Sequence, residues 1–164
     1  MEIGLGLYGN KKMHNLETFF KNKKVLVTGH TGFKGAWLTR ILLDWGAEVC
    51  GVSLPPHTNP NLFTVLGLEK KIQNHFVDVR DYTALKSVVA SFRPEIIFHL
   101  AAQALVRESY DDPLFTFSTN VMGTVNILHA AKEVGSARSV ILVTTDKVYE
   151  NKEDMKVDRE DDLL

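Results

Sequence analysis

Cysteine is nearly absent from this chain, since Cys50 is the only one among 164 residues. An internal disulfide is therefore excluded, and the apolar stretch around Cys50 predicts a buried, unreactive thiol. Long apolar runs are also lacking, so no segment has the length needed to cross a bilayer. The segment from Met1 to Lys24 has no apolar core of the kind found in signal peptides. We expect a cytoplasmic protein without membrane contact.

Neither sign of charge is in excess, because 19 Lys and Arg stand against 20 Asp and Glu, for a net charge of −1. Without a basic field, the chain is not expected to bind nucleic acid. The six histidines are scattered, and none pairs with Cys, Asp or Glu at metal-ligand spacing, so no metal site is predicted. The 45% of apolar residues suits one globular domain with a core.

Strand-like and helix-like segments alternate, a pattern that predicts an α/β fold with a doubly wound, Rossmann-like parallel sheet. The predicted strands are Lys24–Thr28, Glu48–Leu54, Ile72–Val79, Glu95–Ala101 and Ser139–Thr145. The predicted helices are Phe33–Trp45, Asn61–Leu68, Asp81–Phe92 and Pro113–Val134. The sheet is thus expected to be truncated after about five strands.

Three regions are predicted along the chain. Residues 1–22 form an amino-terminal extension, in which Met13 is an alternative start to Met1. Residues 23–149 form the Rossmann-like domain. Residues 150–164 form a charged tail without periodicity.

The most informative motif joins the first predicted strand to the first predicted helix. Gly29, Gly32 and Gly35 follow an apolar run in the spacing Gly-x-x-Gly-x-x-Gly. The first glycine allows a sharp turn, the second lets the backbone approach a phosphate, and the third allows close helix packing. The helix N-terminus then directs free N–H groups at the anion. We predict a nicotinamide dinucleotide site, with a tight turn without ligand as the alternative. The predicted dinucleotide site also includes the loop residues Thr31, Phe33 and Lys34.

Further candidates follow the later strands, since the carboxyl ends of parallel strands share one edge of the sheet. Asp78, next to Val79, is placed to accept a hydrogen bond from an adenine amino group, although it can also simply end its strand. Asp81 is interpreted as a helix cap. The small residues in the run Leu100-Ala101-Ala102-Gln103 leave room for a flat ring or a ribose, with plain packing as the alternative.

Thr145, Asp146 and Lys147 follow the last predicted strand. A hydroxyl, a carboxylic acid and an amine in a row can polarise a carbonyl, protonate a leaving hydroxyl and take a proton. A solvated loop pair of Asp and Lys is the alternative interpretation.

The choice between NAD and NADP stays open from the residues alone. An acid at the end of the second strand usually selects the free ribose 2′-hydroxyl. Ser53 and Leu54 stand there instead, and no Arg or Lys is present to pair a 2′-phosphate.

These motifs resemble the extended short-chain dehydrogenase/reductase superfamily and, within it, look like the CDP-glucose 4,6-dehydratases. The glycine loop is common to the superfamily. The run His30–Trp37, the loop Ser53–Pro56 and the pair Asp146-Lys147 are much narrower signals. The resemblance covers about Lys23 to Asp162, and its further segments are Pro60–Phe63, Pro94–Gln103, Ser109–Pro113, Thr119–Asn126 and Val148–Lys152.

The resemblance implies NAD as the cofactor and CDP-glucose as the substrate. Hydride leaves C4 of the sugar, water is lost across C5 and C6, and hydride returns to C6, giving CDP-4-keto-6-deoxyglucose for deoxysugar biosynthesis. The resemblance implies that Thr145 binds the C4 oxygen, Asp146 protonates the leaving hydroxyl and Lys147 acts near C5. It also implies that Asn120 contacts the cofactor and that the long helix forms a homodimer or a higher homo-oligomer.

The superfamily places its catalytic base and the base's partner in Tyr-x-x-x-Lys on the helix after the fifth strand, beyond Leu164. Local matches at Tyr8…Lys12 and Tyr82…Lys86 lie elsewhere in the predicted topology. The chain is therefore expected to be the amino-terminal, NAD-binding portion of such an enzyme and inactive alone. The alternatives are a non-catalytic NAD(P)-binding module and another extended nucleotide-sugar epimerase or reductase.

Overall fold

Five parallel strands form one sheet in the order β3-β2-β1-β4-β5. A computed structural model describes residues 16–145 of the chain. The strands are β1 (Lys24–Thr28), β2 (Glu48–Ser53), β3 (Gln73–Phe76), β4 (Ile96–His99) and β5 (Ser139–Leu142). All five predicted strands are confirmed, and β1 lies at the centre with β2 and β4 on its two sides.

The helices alternate with these strands. They are α1 (Phe33–Asp44), α2 (Leu62–Val65), α3 (Tyr82–Phe92), α4 (Val106–Asp111), α5 (Pro113–Phe117) and α6 (Gly123–Val134). A π-helical turn at Ser118–Met122 joins α5 directly to α6, so the predicted long helix is confirmed with a change of pitch in its middle. Pro113 stands in its first turn and Gly135, in the left-handed region, ends it, as predicted.

Both faces of the sheet are covered by helices, as a doubly wound fold requires. Side chains of β1 alternate between the faces because successive residues of a strand point to opposite sides. Val25 and Val27 pack in a cluster with Leu42 of α1. Leu26 packs on the other face in a cluster with Leu85 of α3 and Ile127 of α6. The Rossmann-like prediction is therefore confirmed.

The helix α4 was not predicted from the sequence. It has no buried residue, so it carries no periodic apolar face that would predict a helix.

Two local predictions are confirmed. Asp81 caps α3 by accepting a hydrogen bond from the backbone N–H of Ala84 at 3.0 Å. Cys50 is fully buried, and burial raises the pKa of its thiol to about 12.

Part of the amino-terminal extension packs on the domain. Residues 16–20 are helical. The ring of Phe20 stacks on Trp45 with centroids 5.6 Å apart and lies 6.3 Å from the ring of Phe98. Phe20 therefore adds an aromatic layer to the core on the α1 side of the sheet.

One face of the long helix is apolar and exposed. Its side chains recur at helical spacing and include Leu114, Phe117, Val121, Val125 and Leu128, all exposed. The opposite face buries Gly123, Ile127, Ala130 and Ala131 against the domain. Contiguous exposed apolar patches of this kind mark interaction surfaces.

We expect the isolated chain to self-associate through this face. Sedimentation at tens of micromolar should show species larger than a monomer, because association removes the apolar face from water. Phe117→Asp should shift the distribution toward monomer, whereas Val65→Asp, at an exposed apolar residue of α2, should leave it unchanged. A clean monomer for the unchanged chain would contradict the prediction.

Candidate functional site

The turn between β1 and α1 is held by glycines at two positions. Gly29 has a φ of +73°, and a Cβ there would lie 2.7 Å from the backbone N of Ala101 at the end of β4. A Cβ on Gly35 would lie only 2.1 Å from the carbonyl O of Gly29. Both glycines are therefore required by close backbone packing, at the turn itself and against the end of β4.

Gly32 has a different part in the same loop. Its φ of −73° suits any residue, and a Cβ there would meet only the carbonyl O of Gly29, at 3.3 Å. Gly32 is the N-cap of α1, and no side chain caps the helix. Gly32, Phe33 and Lys34 are exposed. The first-turn N–H groups of an α-helix have no partner within the helix, so this end can receive an anion.

His30 fills the space beneath the glycine loop. Its ring is fully buried, lies 5.1 Å from the ring of Phe63 edge to face, and bonds through Nε2 to Asn74 Oδ1 at 2.7 Å. A Cβ on Gly51 of β2 would lie 2.5 Å from the imidazole Cγ. Burial lowers the pKa of His30. Sequence analysis did not assign His30 a role, although a glycine inside the buried strand β2 was a signal that something approaches there.

Thr31 ties the loop to the end of β2. Its Oγ1 lies 2.8 Å from Ser53 Oγ and donates to the Leu54 carbonyl at 2.9 Å. The predicted loop residue Thr31 and the strand end where an acid was missing are thus in direct contact.

Thr28 joins the ends of β1 and β4. Its Oγ1 accepts hydrogen bonds from the backbone N–H groups of Leu100 and Ala101, both at 3.2 Å, and lies 2.7 Å from Nδ1 of His99. This places Leu100 and Ala101 beside Gly29. Ala102 follows and is exposed. The predicted small-residue run therefore borders the glycine loop.

A buried polar relay continues from His99 to the long helix. His99 Nε2 lies 3.2 Å from Thr124 Oγ1, which donates to the Asn120 carbonyl at 2.7 Å. Because the Thr124 proton goes to that carbonyl, His99 Nε2–H must donate to Thr124. Neutral His99 then accepts the Thr28 proton at Nδ1. Burial lowers the pKa of His99 to about 4, which keeps the imidazole ring neutral.

Asn120 and Gln103 hold each other in place. The backbone N–H of Gln103 donates to Asn120 Oδ1 at 2.8 Å, and Asn120 Nδ2 donates to the Gln103 carbonyl at 2.9 Å. The Gln103 side chain donates to Thr116 Oγ1 and to the Leu105 carbonyl. These two predicted cofactor residues are thus brought together, and their described contacts shape the loop after β4.

Asp78 forms an ion pair with the guanidinium of Arg80 in this structure. Its carboxylate accepts hydrogen bonds from Nε and Nη2 of Arg80, which lowers the Asp78 pKa. The Arg80 guanidinium lies 4.5 Å from the ring centroid of Phe115. The neighbouring Val79 side chain is buried in the core, so a ligand can meet this residue only through its backbone.

The predicted catalytic residues are described in part. Thr145 is exposed, three residues beyond the end of β5, whereas Asp146 and Lys147 lie outside the described residues, as do Tyr8 and Lys12. Tyr82 and Lys86 both bind Glu133 of α6, on the outside of the α3–α6 contact.

In the described range 16–145, no cluster of three His, Cys, Asp or Glu could hold a metal ion. No helix in that range is long and apolar enough to span a bilayer.

Comparison with known proteins places these features in a family. The family model of GDP-mannose 4,6 dehydratase matches residues 26–163. CDP-glucose 4,6-dehydratase of Salmonella typhimurium is 48% identical over 137 residues, which cover 84% of this chain and 38% of that relative. The chain thus spans less than half the length of the curated relative it matches.

Solved structures show the same fold. UDP-glucose 4-epimerase of Thermus thermophilus, in complex with NAD, matches with a TM-score of 0.64 and 28% identity, covering 79% of this chain and 43% of that one. UDP-glucose-4-epimerase of Stenotrophomonas maltophila matches with a TM-score of 0.74 and 23% identity, covering 87% of this chain and 43% of that one. From its sequence match over most of its length, the chain belongs to the GDP-mannose 4,6 dehydratase family.

Proposed function

We propose that this chain forms the NAD-binding part of a nucleotide-sugar 4,6-dehydratase that acts on CDP-glucose. The observation that carries the proposal is the open N-terminus of α1. Gly32, Phe33 and Lys34 are exposed there, no side chain caps the helix, and the small residues Ala101 and Ala102 follow the neighbouring strand. An uncapped helix end beside small residues fits a pyrophosphate with a ribose next to it.

The glycine turn and the relay from Thr28 to His99 serve cofactor binding. The first-turn N–H groups of α1 bind the pyrophosphate, and Gly29 and Gly35 fix their direction by backbone packing. The relay from Thr28 through His99 holds the strand end that borders the ribose. NAD supplies reversible hydride transfer when bound.

The residues after β5 are assigned to the sugar. By similarity to the dehydratases, Thr145 binds the C4 oxygen, Asp146 protonates the leaving C6 hydroxyl and Lys147 acts near C5. The carboxyl end of β5 adjoins that of β4, because the two strands pair in parallel up to His99 and Leu142. This side-by-side arrangement supports a sugar lying next to a nicotinamide bound along β4.

Calorimetric titration of the chain with NAD tests the cofactor site. Gly32→Val should abolish measurable binding, because its two methyl groups would occupy the phosphate position, while circular dichroism stays unchanged. The fold should survive, since the backbone at Gly32 is unstrained for valine and a Cβ there contacts only one atom.

The control adds two methyl groups elsewhere. Ala90→Val lies on an exposed position of α3 and should bind NAD like the unchanged chain. Equal NAD affinity in Gly32→Val and the unchanged chain would refute the loop assignment.

A further inference from the structure

The turn after β3, residues Asp78–Arg80, is held by a side chain of the long helix. Asn126 Nδ2 donates to the carbonyl O of Val79 at 3.0 Å and to that of Arg80 at 3.1 Å. Both partners can only accept, so the amide nitrogen of Asn126 must face the turn, and each of its two hydrogens serves one carbonyl. The helix α6 thus fixes two successive peptide units of this turn.

A glycine brings the helix close enough for this contact. A Cβ on Gly123 would lie 2.7 Å from Cγ2 of Val79. Gly123 and Asn126 are three residues apart on α6, so they share one side of the helix. Val79 therefore packs against the helix with its buried side chain, while its carbonyl binds Asn126. The turn cannot shift along α6 without losing one of these contacts.

The position of the turn sets the direction of the Asp78 carboxylate. Its Oδ1 accepts a hydrogen bond from the backbone N–H of Arg80 at 2.8 Å, so the side chain follows the backbone that Asn126 holds. Hydrogens on N, Nε and Nη2 of Arg80 all reach the carboxylate. A carboxylate has about four acceptor sites, so one remains for a ligand. The Asp78 side chain is 25% exposed, which leaves that site open to solvent.

We propose that Asn126 is a positioning residue for base recognition, holding the turn so that the remaining acceptor of Asp78 meets the 6-amino group of an adenine. This inference rests on the proposed dinucleotide site and on the adenine contact predicted for Asp78. Asn126 itself binds only the two carbonyls of the turn. Without it, Asp78 keeps its charge but loses its fixed place, and it no longer discriminates between bases.

Titrations with NAD and with nicotinamide hypoxanthine dinucleotide test this role. The second dinucleotide carries a 6-oxo group, which accepts hydrogen bonds and is repelled by a carboxylate, in place of the 6-amino group. Because hydrogen bonds to charged groups are stronger than neutral ones, we expect the unchanged chain to bind NAD at least about tenfold more tightly. Asn126→Leu should lower this ratio to about threefold or less, mainly by weakening NAD, with an unchanged circular dichroism spectrum.

Three further variants frame the result. Asn126→Ala removes the same two donors without adding an apolar side chain, and it should lower the ratio in the same way. Asp78→Asn should bring the ratio to about one, because a carboxamide can rotate to accept from an amino group or to donate to an oxo group. Lys132→Leu, at an exposed position of the same helix, is the control and should keep the ratio of the unchanged chain.

The outcomes separate this inference from the proposed function. An unchanged ratio in Asn126→Leu and Asn126→Ala overturns the positioning role, and equal weakening of both dinucleotides in these variants assigns Asn126 a merely structural role. An unchanged ratio in Asp78→Asn also overturns the inference, while the cofactor site stands. Binding of neither dinucleotide to the unchanged chain refutes the proposed function and this inference together.

Discussion

Gly35→Ala should lower the free energy of unfolding by about 3 kcal/mol or more, a large share of the stability of an ordinary domain. The added Cβ would lie 2.1 Å from the carbonyl O and 2.7 Å from the carbonyl C of Gly29, and 2.8 Å from Cα of His30. All three atoms belong to the backbone of the turn, so no side-chain rotation relieves the overlap. Urea denaturation followed by circular dichroism measures the loss.

Gly32→Ala is the matched comparison within the same loop. Its Cβ would lie 3.3 Å from one backbone atom, at a φ that alanine adopts freely, so its stability should stay within about 1 kcal/mol of the unchanged chain. The two variants add the same methyl group at the N-cap and in the first turn of α1, so the difference between them reports mainly the overlap at Gly35. A Gly35→Ala variant as stable as Gly32→Ala would contradict the packing argument.

Acid should destabilise the chain through His99. Burial lowers the pKa of His99 from 6.5 to about 4, so the unfolded chain binds its proton more readily than the folded chain. This contribution to stability is full above pH 6.5 and is lost as the pH falls toward 4. We expect a loss of about 2 kcal/mol by pH 5 and about 3 kcal/mol by pH 4.

The control is a side chain that does not titrate. His99→Gln should be less stable near pH 7, because glutamine does not reproduce both bonds of the relay, but its stability should fall less between pH 7 and 5. His30, whose pKa burial also lowers, contributes to the remaining fall. Identical pH dependence in His99→Gln and the unchanged chain would show that folding does not shift the pKa of His99.

The sequence predicts the sheet because its signals are local. The strand β1, the glycine turn and the start of α1 are consecutive, and each glycine that the turn needs is visible in the spacing. Asp81 and Pro113 likewise act within one helical turn, so their roles follow from the residues beside them.

The parts that escaped prediction depend on residues far apart in the chain. The relay joins Thr28 to His99 and His99 to Thr124, three residues on separate elements. Similarly, Phe20 lies in the predicted extension, and its partners Trp45 and Phe98 come together only in the folded sheet.

The central place of β1 in the sheet has a consequence for the order of folding during synthesis. Strands β1, β2 and β3 pair side by side and can assemble once Phe76 has emerged from the ribosome. The other side of β1 waits for β4, in which Thr28 meets His99 across 71 positions of sequence. Until that strand emerges from the ribosome, Val25–Thr28 present an unpaired backbone edge that can bind another nascent chain.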